Sequence, residues 1–264
     1  MLWDKALTVA KDARDAQVLL PIATKSSVVS EQGIDFFIKI MNDNLNKKMQ
    51  QGLTQSNPFL PYDEQMFVDT VGHEHVCLLN KYPIEEPHLL ICSKTFVNQS
   101  SLLDLYDFSA WIQGITYSNV LGFFNSASEA GASQRHRHMQ LMKTLIPLET
   151  MIVAGKLPFR HKLFTFDRIN SEKVYFCYLA AMHDLGLTPK KVTLNSNEPI
   201  ECLPYNILLT QHWMLVIPRL TNHIGDIFAN ALNYSGCFLV KDQQQYDWLI
   251  KYGCLRLLTE CVRP

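Results

Sequence analysis

Residues 125–140 read Asn-Ser-Ala-Ser-Glu-Ala-Gly-Ala-Ser-Gln-Arg-His-Arg-His-Met-Gln. From His136 onward this stretch alternates like a strand. With a side-chain period of two, His136, His138 and Gln140 share one face, while Met139 and Leu141 point into a core. Polar side chains backed by apolar ones make a prepared surface rather than a solvent face. Upstream, Gly131-Ala132-Ser133-Gln134 is small and flexible. Such a turn could aim successive backbone N–H groups and a hydroxyl at a phosphate, as anion-binding nests do.

The chemistry this row suits is nucleophilic attack on phosphorus. A neutral imidazole is a competent nucleophile near neutral pH if one ring nitrogen holds the proton against an acceptor and the other presents its lone pair. A neighbouring carbonyl on the strand would serve as that acceptor, and His138 is the candidate nucleophile. Gln140 could donate an amide N–H to a non-bridging phosphate oxygen, worth ~3 kcal/mol in a dry site. An H-x-H pair also suits zinc, which would need a third ligand such as His88 or a cysteine. A second pair, His73-Glu74-His75, lacks both the small-residue loop and the following glutamine, so it reads as structural.

Working outward, the N-terminal stretch to about Ala23 has helical spacing, and residues 34–40 (Ile-Asp-Phe-Phe-Ile-Lys-Ile) read as a strand. Residues 44–63 form a polar loop broken by Pro58 and Pro61. Strand material follows over 66–80 and again over 89–92, with a proline-bearing turn over 81–88. A helix is predicted over 105–118, strands over 121–124 and 136–142, and a helix over 171–185 stopped by Gly186. A hairpin turns at Gln211-His212, and a strand over 237–240 leads into a helix from about Asp242. This order points to an α+β fold with an antiparallel sheet. The expected division is residues 1–190 carrying the site and 191–264 completing it, with the boundary near 187–203, where Pro189 and Pro199 cluster.

The chain has 264 residues, 47% hydrophobic and 19% charged, with a formal charge of −1. Near-neutrality argues against a nucleic-acid partner, so any anion must be met by local donors. Seven scattered cysteines without a C-x-x-C pair suggest reduced thiols and a cytoplasmic protein. No apolar run reaches membrane-spanning length, so no membrane partner is expected. Neither a Walker A motif, nor G-x-G-x-x-G, nor G-x-S-x-G occurs.

The run Gly-Ala-Ser-Gln-Arg-His-Arg-His-Met-Gln at 131–140 resembles the H-x-H-x-Q strand of the histidine-triad superfamily. It is most similar to the branch of diadenosine tetraphosphate phosphorylases, or ATP adenylyltransferases. Segments 57–63, 78–83, 87–90, 205–210, 213–219 and 236–241 agree in order, so the resemblance spans roughly residues 20–264. It implies a histidine-triad-like antiparallel sheet flanked by helices. It also implies a phosphorolytic reaction in which diadenosine tetraphosphate and inorganic phosphate give ATP and ADP through an adenylyl-histidine.

By that resemblance His138 is the nucleophile, His136 its support, and Gln140 an α-phosphate contact. Substrate contacts fall on Lys48, Asn80, Lys81, Asn125, Gly131, Ala132, Ser133, Gln134, Asn230 and Lys241. No tightly bound cofactor and no protein metal site are implied; Mg²⁺ enters only with the polyphosphate. The family tends toward Asn-Ser-Thr where this chain has Asn230-Ala231-Leu232, which removes two hydroxyl donors. Transfer of another nucleotide (uridylyl or guanylyl) and a weakly active nucleotide sensor are the competing readings.

Overall fold

Helical and strand periodicities sort the chain into two-faced elements. A computed structural model describes residues 1–42, 57–117, 119–188 and 201–264. Lys48, most of the 44–63 loop, and Pro189 and Pro199 of the expected boundary lie outside them.

Helix α1 (Leu2–Asp15) buries Trp3, Ala6, Ala10 and Ala13. It ends well before Ala23, because Gln17 turns left-handed at φ 59° and Leu20 and Ile22 bond to the carbonyls of Lys81 and Pro83. Strands β1 (Thr24–Glu31) and β2 (Ile34–Met41) form a hairpin. Its Gln32 and Gly33 both have positive φ, as a two-residue type I′ turn requires. The strand expected through 66–80 is itself a hairpin of β3 (Phe67–Val71) and β4 (His75–Leu79), because Gly72 takes φ 66°.

Next come β5 (His88–Ser93), helix α2 (Leu105–Ile115), β6 (Val120–Asn125) and β7 (His138–Lys143). The helix starts on a reciprocal capping box between Asp104 and Asp107. After α3 (Glu149–Val153) and β8 (Lys162–Thr165), Asn170 caps α4 (Ser171–Asp184). Strands β9 (Tyr205–Leu209) and β10 (Trp213–Pro218) form the predicted hairpin. Two-residue strands β11 (His223–Ile224) and β12 (Ile227–Phe228) precede β13 (Cys237–Val240), α5 (Gln243–Tyr252) and α6 (Cys254–Glu260).

Eight strands make one sheet in the order β3-β4-β5-β7-β6-β9-β10-β8, with antiparallel pairing at each junction. One face packs on α1, α2 and α4 through Trp3, Phe108, Trp111, Val174 and Tyr178, and includes Met139 and Leu141 of β7. Truncating a fully buried leucine such as Leu141 to alanine costs ~2–5 kcal/mol. Gly114 brings α2 down onto β7, since a Cβ there would lie 2.3 Å from Leu141 Cδ1. Trp111 Nε1 can then donate to the Gln140 carbonyl at 3.0 Å.

The other face carries two clusters. One unites Phe123 and Met142 with Phe36, Ile38 and Phe238 of a small sheet, β1-β2-β13, and with α5 and α6. The second groups Phe59 with Val76, Leu78, Leu90 and Cys92. The polar row of β7 lies in the seam between them.

Candidate active site

Register places the row. Cys92 of β5 opposes His138, and both Leu90 and Phe123 oppose Gln140, so these side chains share the seam face. The regular strand begins at His138 rather than His136, which joins through a single bridge to Asn98. The reason is Gln99, whose buried side chain replaces the backbone ladder at this point. Its Oε1 accepts from His138 N at 2.8 Å, and its Nε2 donates to the carbonyls of Asn125 at 2.7 Å and His138 at 3.1 Å.

His138 is 4% exposed. Its Nδ1 lies 2.8 Å from the His136 carbonyl. A carbonyl only accepts, so Nδ1 carries the proton and Nε2 presents a lone pair. Burial pushes the imidazole down to about 4, only partly opposed by the bond to His136, so the ring is neutral at pH 7. His136 is held differently: its Nε2 donates to Ser93 O at 2.8 Å, and Asn57 Nδ2 donates to its Nδ1 at 3.1 Å. Burial lowers this imidazole too. Phe59 packs against both rings, with centroids 5.6 Å from His136 and 5.2 Å from His138.

Gln140 has its own relay. Tyr82 N donates to Asn80 Oδ1 at 3.0 Å, which fixes the Asn80 amide so that Nδ2 donates to His88 Nδ1 at 3.0 Å. His88 therefore carries its proton on Nε2 and donates to Gln140 Oε1 at 2.9 Å. The Gln140 carbonyl oxygen is thus taken, and its N–H₂ is left for a ligand. Burial drives His88 down to about 4, which preserves this neutral, one-donor form. With both ring nitrogens occupied, neither His88 nor His136 offers a lone pair to a metal. Among the described residues no group of three or more His, Cys, Asp or Glu is arranged to hold a metal ion.

The loop before the strand departs from the expected nest. Gly131 takes φ 93° at the end of a 3₁₀ turn over Ser128–Ala130. The N–H groups of Gly131 and Ala132 close that turn onto the carbonyls of Ser128 and Ala127, both at 2.9 Å. Those two amides are therefore spent internally. Gly131 meets Asn230 so closely that a Cβ would lie 2.5 Å from Asn230 Cβ. Asn230 Oδ1 accepts from Leu232 N at 2.9 Å, and Asn125 Oδ1 from Ala231 N at 2.8 Å. The backbone of 231–232 thus does not stand in for the missing hydroxyls.

Two cavities flank the row. One of about 300 Å³ is lined by Asn57, Phe96, Asn98, Gln134, Arg135 and His136. The other, about 780 Å³, has Lys39, Met142, Phe228, Asn230, Phe238 and Lys241 among its walls and is large enough for a nucleotide. His138 and Gln140 stand between them on the strand. Lys81 follows Asn80 but lines neither cavity.

Of the pair His73-Glu74-His75, expected to be structural, His75 is buried in a structural ion cluster, while His73 is exposed. His75 Nε2 donates to Asp107 Oδ1 at 2.8 Å, and the other carboxylate oxygen receives Arg137 at 2.7 Å. This buried cluster fastens the back of the candidate segment, since Arg137 lies between the two histidines of the row.

Residues 1–164 match the family model for the Ap4A phosphorylase N-terminal domain, and residues 155–264 that for the ATP adenylyltransferase C-terminal domain. The chain belongs to the Ap4A phosphorylase family. It is 29% identical over 232 residues to diadenosine 5′,5‴-P1,P4-tetraphosphate phosphorylase 2 of Saccharomyces cerevisiae, covering 72% of this chain and 70% of that one. Protein APA1 of the same yeast is 25% identical over 223 residues, covering 71% and 68%. The crystal structure of yeast Ap4A phosphorylase Apa2 superposes with a TM-score of 0.81 at 22% identity, covering 100% of this chain and 97% of that one. Its complex with Ap4A superposes at 0.80. The α+β architecture is therefore that of this family, and the chain is an enzyme of the Ap4A phosphorylase and ATP adenylyltransferase kind.

For this phosphorylase, sequence reasoning missed His88 as the holder of Gln140 and Gln99 as the pin on His138. Each reaches its partner from a distant segment; His88 lies in the matching segment 87–90 but carried no role there, and Gln99 lies in none of the matching segments. The one available signal was a polar residue within or beside an apolar run, as in Pro87-His88-Leu89-Leu90.

Proposed function

We propose that this phosphorylase cleaves diadenosine tetraphosphate in two displacements through an adenylyl group on His138. The observation that carries the reading is the fixed tautomer of His138, with Nδ1–H on the His136 carbonyl and Nε2 unprotonated. Nε2 attacks the α-phosphorus, the P–N bond forms, and the P–O bond to the departing ATP breaks. As the ring becomes an imidazolium, the His136 carbonyl stabilises its charge through the same hydrogen bond. Inorganic phosphate then attacks the phosphoramidate, the P–N bond breaks, and ADP leaves with His138 neutral again.

The Gln140 amide donates to the α-phosphate, where charge accumulates. Ser133 and Gln134 offer N–H groups to the polyphosphate, with Gly131 and Ala132 shaping the turn, and Asn125 and Asn230 complete its wall. Asn80 acts through His88 rather than only by contact. Lys241 on the wall of the larger cavity, with Lys81 and Lys48, supplies positive charge that a chain of net charge −1 lacks as a whole. Mg²⁺ enters, in this reading, only with the substrate. Seven unpaired cysteines support a reducing, cytoplasmic setting.

Product analysis tests the proposal. Diadenosine tetraphosphate with phosphate should give ATP and ADP in equal amounts, and labelled phosphate should appear in ADP. Release of AMP and ATP at full rate without phosphate would mean hydrolysis and would overturn it.

A further inference from the structure

The last residue of the Trp213–Arg219 segment is an arginine with 0% exposure. A guanidinium keeps its charge in proteins, and a buried charge is ordinarily paired with an acid. Arg219 donates to the carbonyls of Cys261 at 3.3 Å, Ala130 at 3.5 Å, Thr221 at 2.6 Å and Ala229 at 3.0 Å, and to Asn206 Oδ1. Its guanidinium also stands 5.1 Å from the Tyr234 ring centroid. None of these partners is a carboxylate. The dipoles compensate for lost water but leave the full positive charge in place.

Two of those carbonyls have a particular address. Ala130 immediately precedes Gly131, and Ala229 immediately precedes Asn230, so one guanidinium holds both loops at their roots. The loops touch each other, as the Gly131–Asn230 approach shows. A charge buried beneath them acts in a medium less screening than water.

We propose that Arg219 is the buried counter-charge of the substrate's polyphosphate, acting through space on the anion and never touching it. The inference rests on the reading of Ser133 and Gln134 as polyphosphate contacts, with Gly131 and Asn230 forming the wall beside them. It makes Arg219 a positioning and electrostatic residue rather than a catalytic one. It also explains how a chain of net charge −1 retains a polyanion.

Arg219→Lys and Arg219→Gln both lose the five-donor fork, but only the first keeps the charge. Binding of inorganic tripolyphosphate and of adenosine is measured by calorimetry on the full chain and both variants. Arg219→Gln should weaken tripolyphosphate by about tenfold or more, and Arg219→Lys by no more than roughly threefold, with adenosine unchanged in both. Equal weakening in the two variants, or parallel loss of adenosine, would mean a purely structural clamp and overturn the inference. If Arg219→Gln does not fold, Arg219→Lys decides alone: a tenfold loss counts against the buried charge, and near-parental affinity supports it. A parent that binds no tripolyphosphate at all overturns the loop assignment itself, and this inference with it.

Discussion

His88 Nε2 stands 2.9 Å from Gln140 Oε1, and that one bond decides which end of the Gln140 amide is left without a side-chain partner. The tautomer that makes it possible is set by Asn80, which donates to the opposite ring nitrogen. Asn80 thereby sets the orientation of the Gln140 amide through His88.

His88→Phe keeps the ring volume and removes the donor. Gln140 can then flip, so kcat should fall roughly tenfold to a hundredfold while KM for the dinucleotide changes little. A steady-state kcat and KM split checks it. A rise in KM with kcat preserved would show that His88 serves binding instead.

Gln99→Ala removes three buried hydrogen bonds, two of them to the His138 backbone. The expected destabilisation is ~2–4 kcal/mol, read from denaturant unfolding. Activity measured well below the unfolding transition should fall more than stability alone accounts for, because His138 loses its register. Parental kcat in folded Gln99→Ala would contradict that role.

Burial holds His138 and His88 down at about 4 against an ordinary value of 6.5. Between those values the unfolded chain binds protons that the native rings refuse. Stability from these rings is therefore complete above pH ~6.5 and is lost as pH falls toward ~4, by ~3 kcal/mol per ring. The acid limb of kcat/KM should accordingly lie near pH 4–5 rather than 6.5. Unfolding curves and rate profiles over pH 4–8 test both, and an acid limb centred at 6.5 would place a solvated imidazole at the site.

Gly131 has φ 93° and no room for a Cβ against Asn230. Gly131→Ala should cost ~1–3 kcal/mol of stability and spread the two loops. KM for diadenosine tetraphosphate should rise severalfold with kcat less affected. Unchanged KM would mean that the contact between the loops is irrelevant to substrate.

Much of this was legible in the chain. The alternation after Arg135 placed the row on one face, and the helix expected over 171–185 before Gly186 is observed as α4, ending one residue earlier at Asp184. Other features were not. Apolar Val18, Leu19 and Leu20 extend the periodicity of α1, but a single left-handed residue, Gln17, outweighs it. The polar alternation of β1, Thr-Lys-Ser-Ser-Val-Val-Ser-Glu, offers no buried face and escaped notice; its partner β2 supplies the apolar residues. The Gly131 loop looked like an open nest, yet closing its own turn consumes two of its amides. Gln99, His88 and Arg219 owe their roles to partners many residues away, which spacing along the chain does not encode.

The most direct test is mass spectrometry of the enzyme quenched under denaturing conditions after mixing with diadenosine tetraphosphate and no phosphate. The account predicts one added adenylyl group, labile to acid and stable to base, mapped to His138 and absent from His138→Ala. A parent enzyme that turns over substrate without any such adduct, or carries it on another residue, would contradict the claim that His138 is the nucleophile.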